Sequence, residues 1–423
     1  MNCQKLLSVI VAGCPILTTH AQPCDWQPLG TGVAPAADAC AVLTNGDIVA
    51  GGRITLAGST EVEYVARWDG SEWHAMGSGF NRFVRTLLAL PDGSVLAGGQ
   101  FDFPAGGPNG LIARWNGTAW ESLGLGLDAG SCRALARTAS GDIIAAGSFL
   151  QADELPAWGV ARWNGDNWTK LGSNTDGGGV SGWLTPEPSP TMVLSVIEMP
   201  NGDLIVGGNF SKADGITATG IARWDGDGWQ PLGQGVNATV RAMTLLGNGD
   251  LLVAGLFGQA GGVPVNGLAR WDGAAWSAFG DGFNGTNQRS PFALHTLPDG
   301  RVVLGGAFDM VDSVSVNNIA VWDPATDQWS AMGSGAVLAI QTSVLDLASD
   351  PGGTVYASGQ FAAAGGSTDA RNIAMFDCFA GTCTADLAEP FGVLDLADVQ
   401  TFIAGFIAGD PINPATKRFA GSL

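Results

Sequence analysis

The chain has 423 residues, 39 acidic and 19 basic, for a formal net charge of −20. A surface of that sign repels phosphate backbones and anionic lipid, which argues against nucleic acid and membrane surfaces as partners. The 64 Gly residues fall at fixed repeat positions, so they mark turns rather than a disordered chain.

At the N-terminus, Lys5 precedes an apolar run from Leu6 to Leu17, and Thr19-His20-Ala21 places small residues at the −3 and −1 positions of a cut. This predicts a secretory signal over residues 1–21, too short to span a membrane, with no membrane insertion after its removal. An alternative is Val11-Ala12-Gly13-Cys14, which resembles a bacterial lipoprotein processing box and would anchor the chain through Cys14. Cys24, Cys40, Cys132, Cys378 and Cys383 remain in the exported chain, where they can be oxidised.

From Asp25 onward one unit recurs. Trp26, Trp73, Trp120, Trp168, Trp229, Trp276 and Trp329 follow one another at spacings of 47, 47, 48, 61, 47 and 53 residues. A second series runs Trp68, Trp115, Trp163, Trp224, Trp271 and Trp322, with Phe376 in the seventh place. A period near 47 is the length of a four-stranded propeller blade. Each unit reads as four short apolar runs. Tight reversals such as Asn45-Gly46 and Asn201-Gly202 join the first to the second, and Asp69-Gly70 and Asp225-Gly226 join the third to the fourth. The doublets Gly51-Gly52, Gly98-Gly99, Gly207-Gly208 and Gly305-Gly306 end the second run. They lack the Lys and following helix of a phosphate-binding loop, so they predict close backbone packing between blades.

A Gly doublet, a spaced aromatic and then a Trp resembles the kelch repeat, most closely in VWDPATDQWSAM at Val321 to Met332. The resemblance covers about Asp25 to Cys378 and implies an all-β, seven-bladed β-propeller over residues 22–378. The last unit stops after its third strand, Ile373 to Asp377, while a spare fourth strand begins at Trp26. That N-terminal strand is expected to close the final blade, removing the open edges of a linear array. Cys24 and Cys378 would then lie at the same seam and are candidates for a disulfide, with Cys383 a competing partner. Cys40 and Cys132 fall in first strands of non-adjacent blades and are expected to be buried and free.

Arg67, Arg114, Arg162, Arg223 and Arg270 immediately precede the third-strand Trp, which predicts structural ion pairs or stacking on Trp. Arg85, Arg133 and Arg241 share a different position, on the innermost strand. They either ring the axial channel and hold an anion or satisfy inner-strand carboxylates and carbonyls.

The reversals between strands 1 and 2 and between 3 and 4 are short and uniform. The 2–3 loops and blade-to-blade connectors are long and variable, and both emerge on one face, where binding is usually built. Two Trp lie outside the repeat: Trp158 in the third 2–3 loop, and Trp183 in an insertion from Ser173 to Thr191. Both project from the variable face and suggest an aromatic platform for a glycan or extracellular protein, with Asp153, Glu154, Asp176 and Glu187 as polar neighbours. The structural alternative is that each Trp pins its own loop.

For catalysis there is little. His74 and His295 sit in different blades without a neighbouring nucleophile, and Tyr64 and Tyr356 are remote from both, which leaves no copper-radical site. An extracellular carbohydrate-active enzyme, a glycosidase or lyase using carboxylates on the variable face, is the competing class, since paired carboxylates leave no local signature.

Past a linker at residues 379–384, Leu396, Val399, Phe402, Ile403 and Phe406 take helical spacing behind Asp395 as a cap. The segment 385–411 resembles half of a planctomycete-type dockerin module and ends in a tail, residues 412–423. The resemblance implies a calcium loop drawing on Asp386, Glu389, Asp395 and Asp398, although the standard first and fifth ligand positions hold Leu387 and Phe391. The expectation is a monomeric, secreted or cell-surface binding module with no cofactor in the propeller and calcium at the C-terminal segment. Its partner would be an extracellular protein or glycan.

Overall fold

Each apolar run of the repeat becomes one strand of an antiparallel sheet. The computed structural model describes residues 24–102, 110–128, 130–172, 178–182, 191–285, 289–337 and 343–377. Among these there are seven four-stranded sheets. Their first strands are Ala37–Val42, Val84–Ala89, Cys132–Arg137, Met192–Glu198, Val240–Leu245, Arg289–Thr296 and Ser343–Ser349. Each first strand packs against the first strands of the sheets before and after it, and Ser343–Ser349 returns to Ala37–Val42. The seven first strands therefore form a closed cycle with the other strands outside it.

The cycle is closed as the sequence predicts. Asp25–Pro28 pairs with Ile373–Asp377, with Trp26 opposite Phe376, and so supplies the fourth strand of the seventh sheet. The Trp series explains why the period is so regular. Trp73, Trp120, Trp168, Trp229 and Trp276 each donate the indole N–H to a carbonyl of the preceding sheet: Leu29, Met76, Leu123, Leu171 and Leu232, at 2.8–3.0 Å. Trp26 does the same across the seam, to Met332 at 3.0 Å. The acceptor is always the residue three positions after the neighbour's own Trp. A Trp at this site thus fills the space between two sheets and satisfies its one polar group there.

Apolar clusters continue this packing. Tyr356 and Ile373 of the seventh sheet join Cys40, Ile48 and Ala66 of the first, and similar clusters lie between later sheets. The doublets answer two separate steric demands. A Cβ on Gly207 would lie 2.5 Å from Val240 of the next sheet, and one on Gly208 would lie 2.1 Å from the Met192 carbonyl oxygen of its own first strand. The first position becomes Ala at Ala146 and Ala254 and Ser at Ser358, whereas the second is Gly in all seven sheets, because backbone cannot yield as a side chain can.

The third-strand Arg residues make ion pairs rather than Trp stacks. Arg67, Arg114, Arg162, Arg223 and Arg270 reach Asp47, Asp92, Asp142, Asp203 and Asp250 at the first reversal of their own sheets. These guanidinium groups are more than a third exposed, so each pair contributes about 0.2–1 kcal/mol. Cys40 and Cys132 are buried and free, and burial pushes the Cys132 thiol up to about 12. Cys24 is disulfide-bonded. Its expected partner Cys378 lies outside the described residues, as do residues 1–23, the linker and the entire C-terminal segment with Asp386, Glu389, Asp395 and Asp398.

Candidate functional site

One face of the sheet cycle carries a second tier of structure. Each 2–3 loop described in full folds into a hairpin of two-residue strands or their equivalent, as at Gln151–Ala152 with Leu155–Pro156 and Lys212–Ala213 with Ile216–Thr217. The connector entering a sheet pairs with that sheet's own hairpin. Val33–Ala34 pairs with Leu56–Ala57, Val180–Ser181 with Lys212–Ala213, and Ala336–Val337 with Ala363–Ala364. Single bridges at Leu127 with Ala152 and Val236 with Ala260 repeat the arrangement. Connectors and hairpins therefore share one face, and each connector is held by backbone hydrogen bonds.

Side chains reinforce the tier. Asp128 accepts from the amides of Leu150 and Gln151 at 2.7 and 2.8 Å, and Asn237 does the same for Gly258 and Gln259. Asp153 accepts from the Leu125 amide at 2.6 Å and the Trp168 amide at 3.3 Å. Its carboxylate is thus engaged in joining the second connector to the third hairpin. Glu154 beside it is exposed, and both residues have left-handed backbone, as the tip of so short a hairpin requires.

All seven exposed large hydrophobic side chains among the described residues lie on this tier: Leu56, Leu125, Leu150, Leu155, Trp158, Ile216 and Leu256. Four of them, Leu125, Leu150, Leu155 and Trp158, belong to the third hairpin and the connector leading to it. The opposite face carries the polar reversals instead. Among the described residues the exposed apolar groups are thus concentrated on one face.

Trp158 is 37% exposed and lines a cavity of about 220 Å³ together with Gly179, Ser181, Lys212, Asp214 and Gly215. The Trp158 carbonyl accepts from the Val180 amide at 2.9 Å, and the Asp214 amide donates to the Gly179 carbonyl at 2.8 Å. Gly179 and Val180, in the described part of the insertion, are thus tied to both the third and the fourth hairpins. Gly179 must be glycine here, since its φ is +74° and a Cβ would lie 2.4 Å from the Trp158 carbonyl oxygen. The cavity is thus bordered by one aromatic residue, one Lys, one Asp and one Ser. One carboxylate, Asp214, is among its described lining residues. Trp183, Asp176 and Glu187 lie outside the described residues.

The fold now invites comparison with known proteins. A family model described as a β-propeller domain of unknown function, DUF5122, matches residues 200–228 and 297–320. The extracellular domain of a hybrid two-component system from B. thetaiotaomicron aligns with a TM-score of 0.52 at 10% identity, over 86% of this chain and 44% of that one. The chain therefore spans less than half the length of that protein. The fold is a β-propeller. A catalytically inactive virginiamycin B lyase from Staphylococcus aureus, solved with quinupristin, aligns with a TM-score of 0.50 at 10% identity, over 83% of this chain and 98% of that one. At this identity both are likenesses of the propeller fold alone. No curated protein sequence matches the chain.

Lys212, Asp214 and Ser181 were not singled out by the sequence. The signal that leads to them is positional: an insertion entering the fourth blade must pass that blade's own 2–3 loop. His74 and His295 are apart from this site. His295 lies on the sixth first strand, bonded to Ser349 at 2.8 Å, and burial pulls its pKa down to about 4. His74 lies on the opposite face, 2.6 Å from Asp69 and within reach of Glu72. Asp69 there is already committed to a turn, accepting from the Glu72 and Ser71 amides and the Ser71 hydroxyl, and these bonds with His74 hold its carboxyl well below the usual range. Asn116, Asn164, Asp225 and Asp272 build the same turn elsewhere, so the bonding of Asp69 is a repeat feature, while Glu72 and His74 are particular to the first sheet. Among the described residues no helix is long and apolar enough to cross a membrane.

Proposed function

We propose that this chain is a secreted or cell-surface, kelch-like, seven-bladed propeller that acts as a non-catalytic binding module. Its hairpin face would take an extracellular glycan at the Trp158 cavity. The observation that carries this reading is the confinement of every exposed large apolar side chain, among the described residues, to one face. The indole of Trp158 offers a stacking surface for a sugar ring, while Lys212, Asp214 and Ser181 offer hydrogen bonds to its hydroxyls. Trp183, Asp176 and Glu187 in the insertion and Glu154 on the third hairpin extend the same surface in this proposal. Residues 1–21 act as the export signal, and the half-dockerin segment 385–411 serves attachment, with calcium at Asp386, Glu389, Asp395 and Asp398. Calcium titration of the full chain that produces no heat would count against that last assignment.

The test is a glycan array probed with the mature protein. A bound glycan class should be lost, by tenfold or more in Kd, in Trp158→Ala, with circular dichroism and melting temperature unchanged because the side chain is half-exposed. Retention of the same binding in Trp158→Ala combined with Trp183→Ala would remove the glycan reading.

A further inference from the structure

Every first strand of the propeller carries a β-bulge at the same place, just inside the face that bears the hairpins. The register slips between Ala37 and Ala39, and likewise around one unpaired residue in each of the other six sheets. The bulged residues are Asp38, Arg85, Arg133, Leu194, Arg241, Phe292 and Leu345. Because the first strands form the innermost cycle, these seven positions lie around the propeller axis, near its hairpin end. Bulges of this kind re-aim a side chain out of the pleat. Contacts between neighbours confirm the convergence: Arg85 reaches Asp38 at 2.6 Å across the first two sheets, and the Arg241 guanidinium lies 4.7 Å from the Phe292 ring centre across the fifth and sixth.

The charges in this ring do not balance. Asp38 is buried and takes two Arg, Arg85 at 2.6 Å and Arg53 at 3.2 Å. Arg85 also donates to Gln100 at 3.1 Å, although its Nε, like that of Arg241, is buried without a partner among the described residues. Arg133 bonds through Nε to the Ser131 hydroxyl at 2.8 Å, and its two terminal nitrogens have no partner among the described residues. Arg241 has no hydrogen bond there at all, and its Nε is fully buried. Desolvation pulls the pKa of both downward; for Arg133 repulsion from Arg85 adds to it, and attraction to Asp38 partly offsets it. The bulge does not require Arg, since Leu194 and Leu345 occupy it in two other sheets. Arg241 is thus partly desolvated with no counter-charge acting on it, and Arg133 has only Asp38, which already serves Arg85 and Arg53, in a chain of net charge −20. That arrangement costs stability unless an anion completes it.

The geometry points to a second binding site on the propeller axis, in which Arg133 and Arg241 hold the carboxylate of an acidic ligand as Arg85 holds Asp38. A planar carboxylate suits the guanidinium fork, and the ring already contains one example of that pairing. The carboxylate could belong to an acidic sugar or to a simple organic acid. The site does not depend on the Trp158 cavity and stands if the glycan reading there fails.

Calorimetric titration of the mature protein at fixed ionic strength tests this, with glucuronate, glutarate and neutral glucose as probes. Saturable one-to-one binding of both acids, and none of glucose, is the expected result. Binding of glucuronate alone makes the ligand an acidic sugar, and binding of glutarate alone a simple acid; either supports the site. Affinity should fall tenfold or more in Arg133→Leu and in Arg241→Leu, both chosen to match the Leu that sibling blades carry, and stay unchanged in Arg223→Leu at the outer edge. Without ligand the double variant should melt at or above the wild-type temperature, whereas acid at roughly ten times its Kd should raise the wild-type Tm by about 2–4 °C. Absence of saturable binding by either acid, or equal binding by wild type and the folded Leu variants, would overturn the proposal. If either Leu variant fails to fold, Arg241→Gln takes its place under the same criteria.

Discussion

Trp26→Ala should destabilise the propeller by about 3–5 kcal/mol, the usual cost of deleting a large buried aromatic side chain. Trp26 is buried, its ring lies 5.3 Å from Phe376, and its indole N–H bonds the Met332 carbonyl across the seam. Trp229→Ala removes an equivalent side chain from the interior of the series, with the same bond to Leu171. Equal losses of packing should therefore give similar changes in denaturant midpoint. Their kinetics should differ once the Cys24 disulfide is reduced: Trp26 then anchors a strand held only by its pairing and by the Ser334 bonds to Asp25, so its loss frees the N-terminal segment and exposes the edge of Ile373–Asp377. Limited proteolysis of Trp26→Ala should cut first near residues 25–35, whereas Trp229→Ala should be cut without preference for the seam. A Trp26→Ala protein with wild-type midpoint and protease pattern would show that closure does not hold the ring together.

The second large effect concerns pH. Asp346 lies on the seventh first strand, accepting from the Cys40 amide at 3.0 Å and the Leu347 amide at 3.0 Å, and burial raises its pKa to about 7. The facing Cys40 thiol is also pushed up by burial and stays neutral. Folded Asp346 therefore keeps a proton that the unfolded chain gives up near pH 4, so its effect is destabilising, growing as pH rises from about 4 to 7 and constant above. His295 behaves oppositely. Its pKa is pulled down to about 4, so the unfolded chain binds a proton the folded one refuses, and stability rises as pH climbs from about 4 to 6.5. Each group contributes on the order of 3 kcal/mol across its window, with opposite sign. The wild-type protein should show a nearly flat stability between pH 4.5 and 6, and single variants should uncover the two slopes. Asp346→Asn should become more stable as pH rises from 4.5 to 6 and exceed wild type at pH 7.5, and His295→Gln should become less stable over the same interval. Denaturant midpoints at four pH values measure both, and parallel curves for all three proteins would refute the assignment.

Much of the fold was legible in the sequence because the features that build it are periodic and chemically distinctive. Trp26 and its counterparts, the Asn-Gly and Asp-Gly reversals and the Gly doublets each answer one steric or hydrogen-bonding demand, repeated in every sheet. The closing strand was readable as a fourth strand without its blade at one end of the chain and a blade without its fourth strand at the other. The third-strand Arg could not be resolved between ion pair and stacking, since the partner aspartate lies 20 or 22 residues upstream, on the other side of a strand pair. The hairpin tier was invisible because two-residue strands carry no periodicity, so Lys212 and Asp214 went unnoticed while Trp158 stood out as a Trp without a repeat position. Likewise Arg85, Arg133 and Arg241 were visibly aligned, but the bulge that turns them towards the axis is a property of register and leaves no mark in composition.

Hydrogen exchange of the mature protein, with and without a saturating glycan taken from the array, would show most directly where the propeller binds. Slowed exchange confined to residues 150–159, 178–182 and 211–218, with the reversals around Gly46, Gly70, Gly202 and Gly226 unchanged, is the predicted pattern. Protection centred on those reversals, with the hairpin tier unaffected, would contradict the assignment of the binding face.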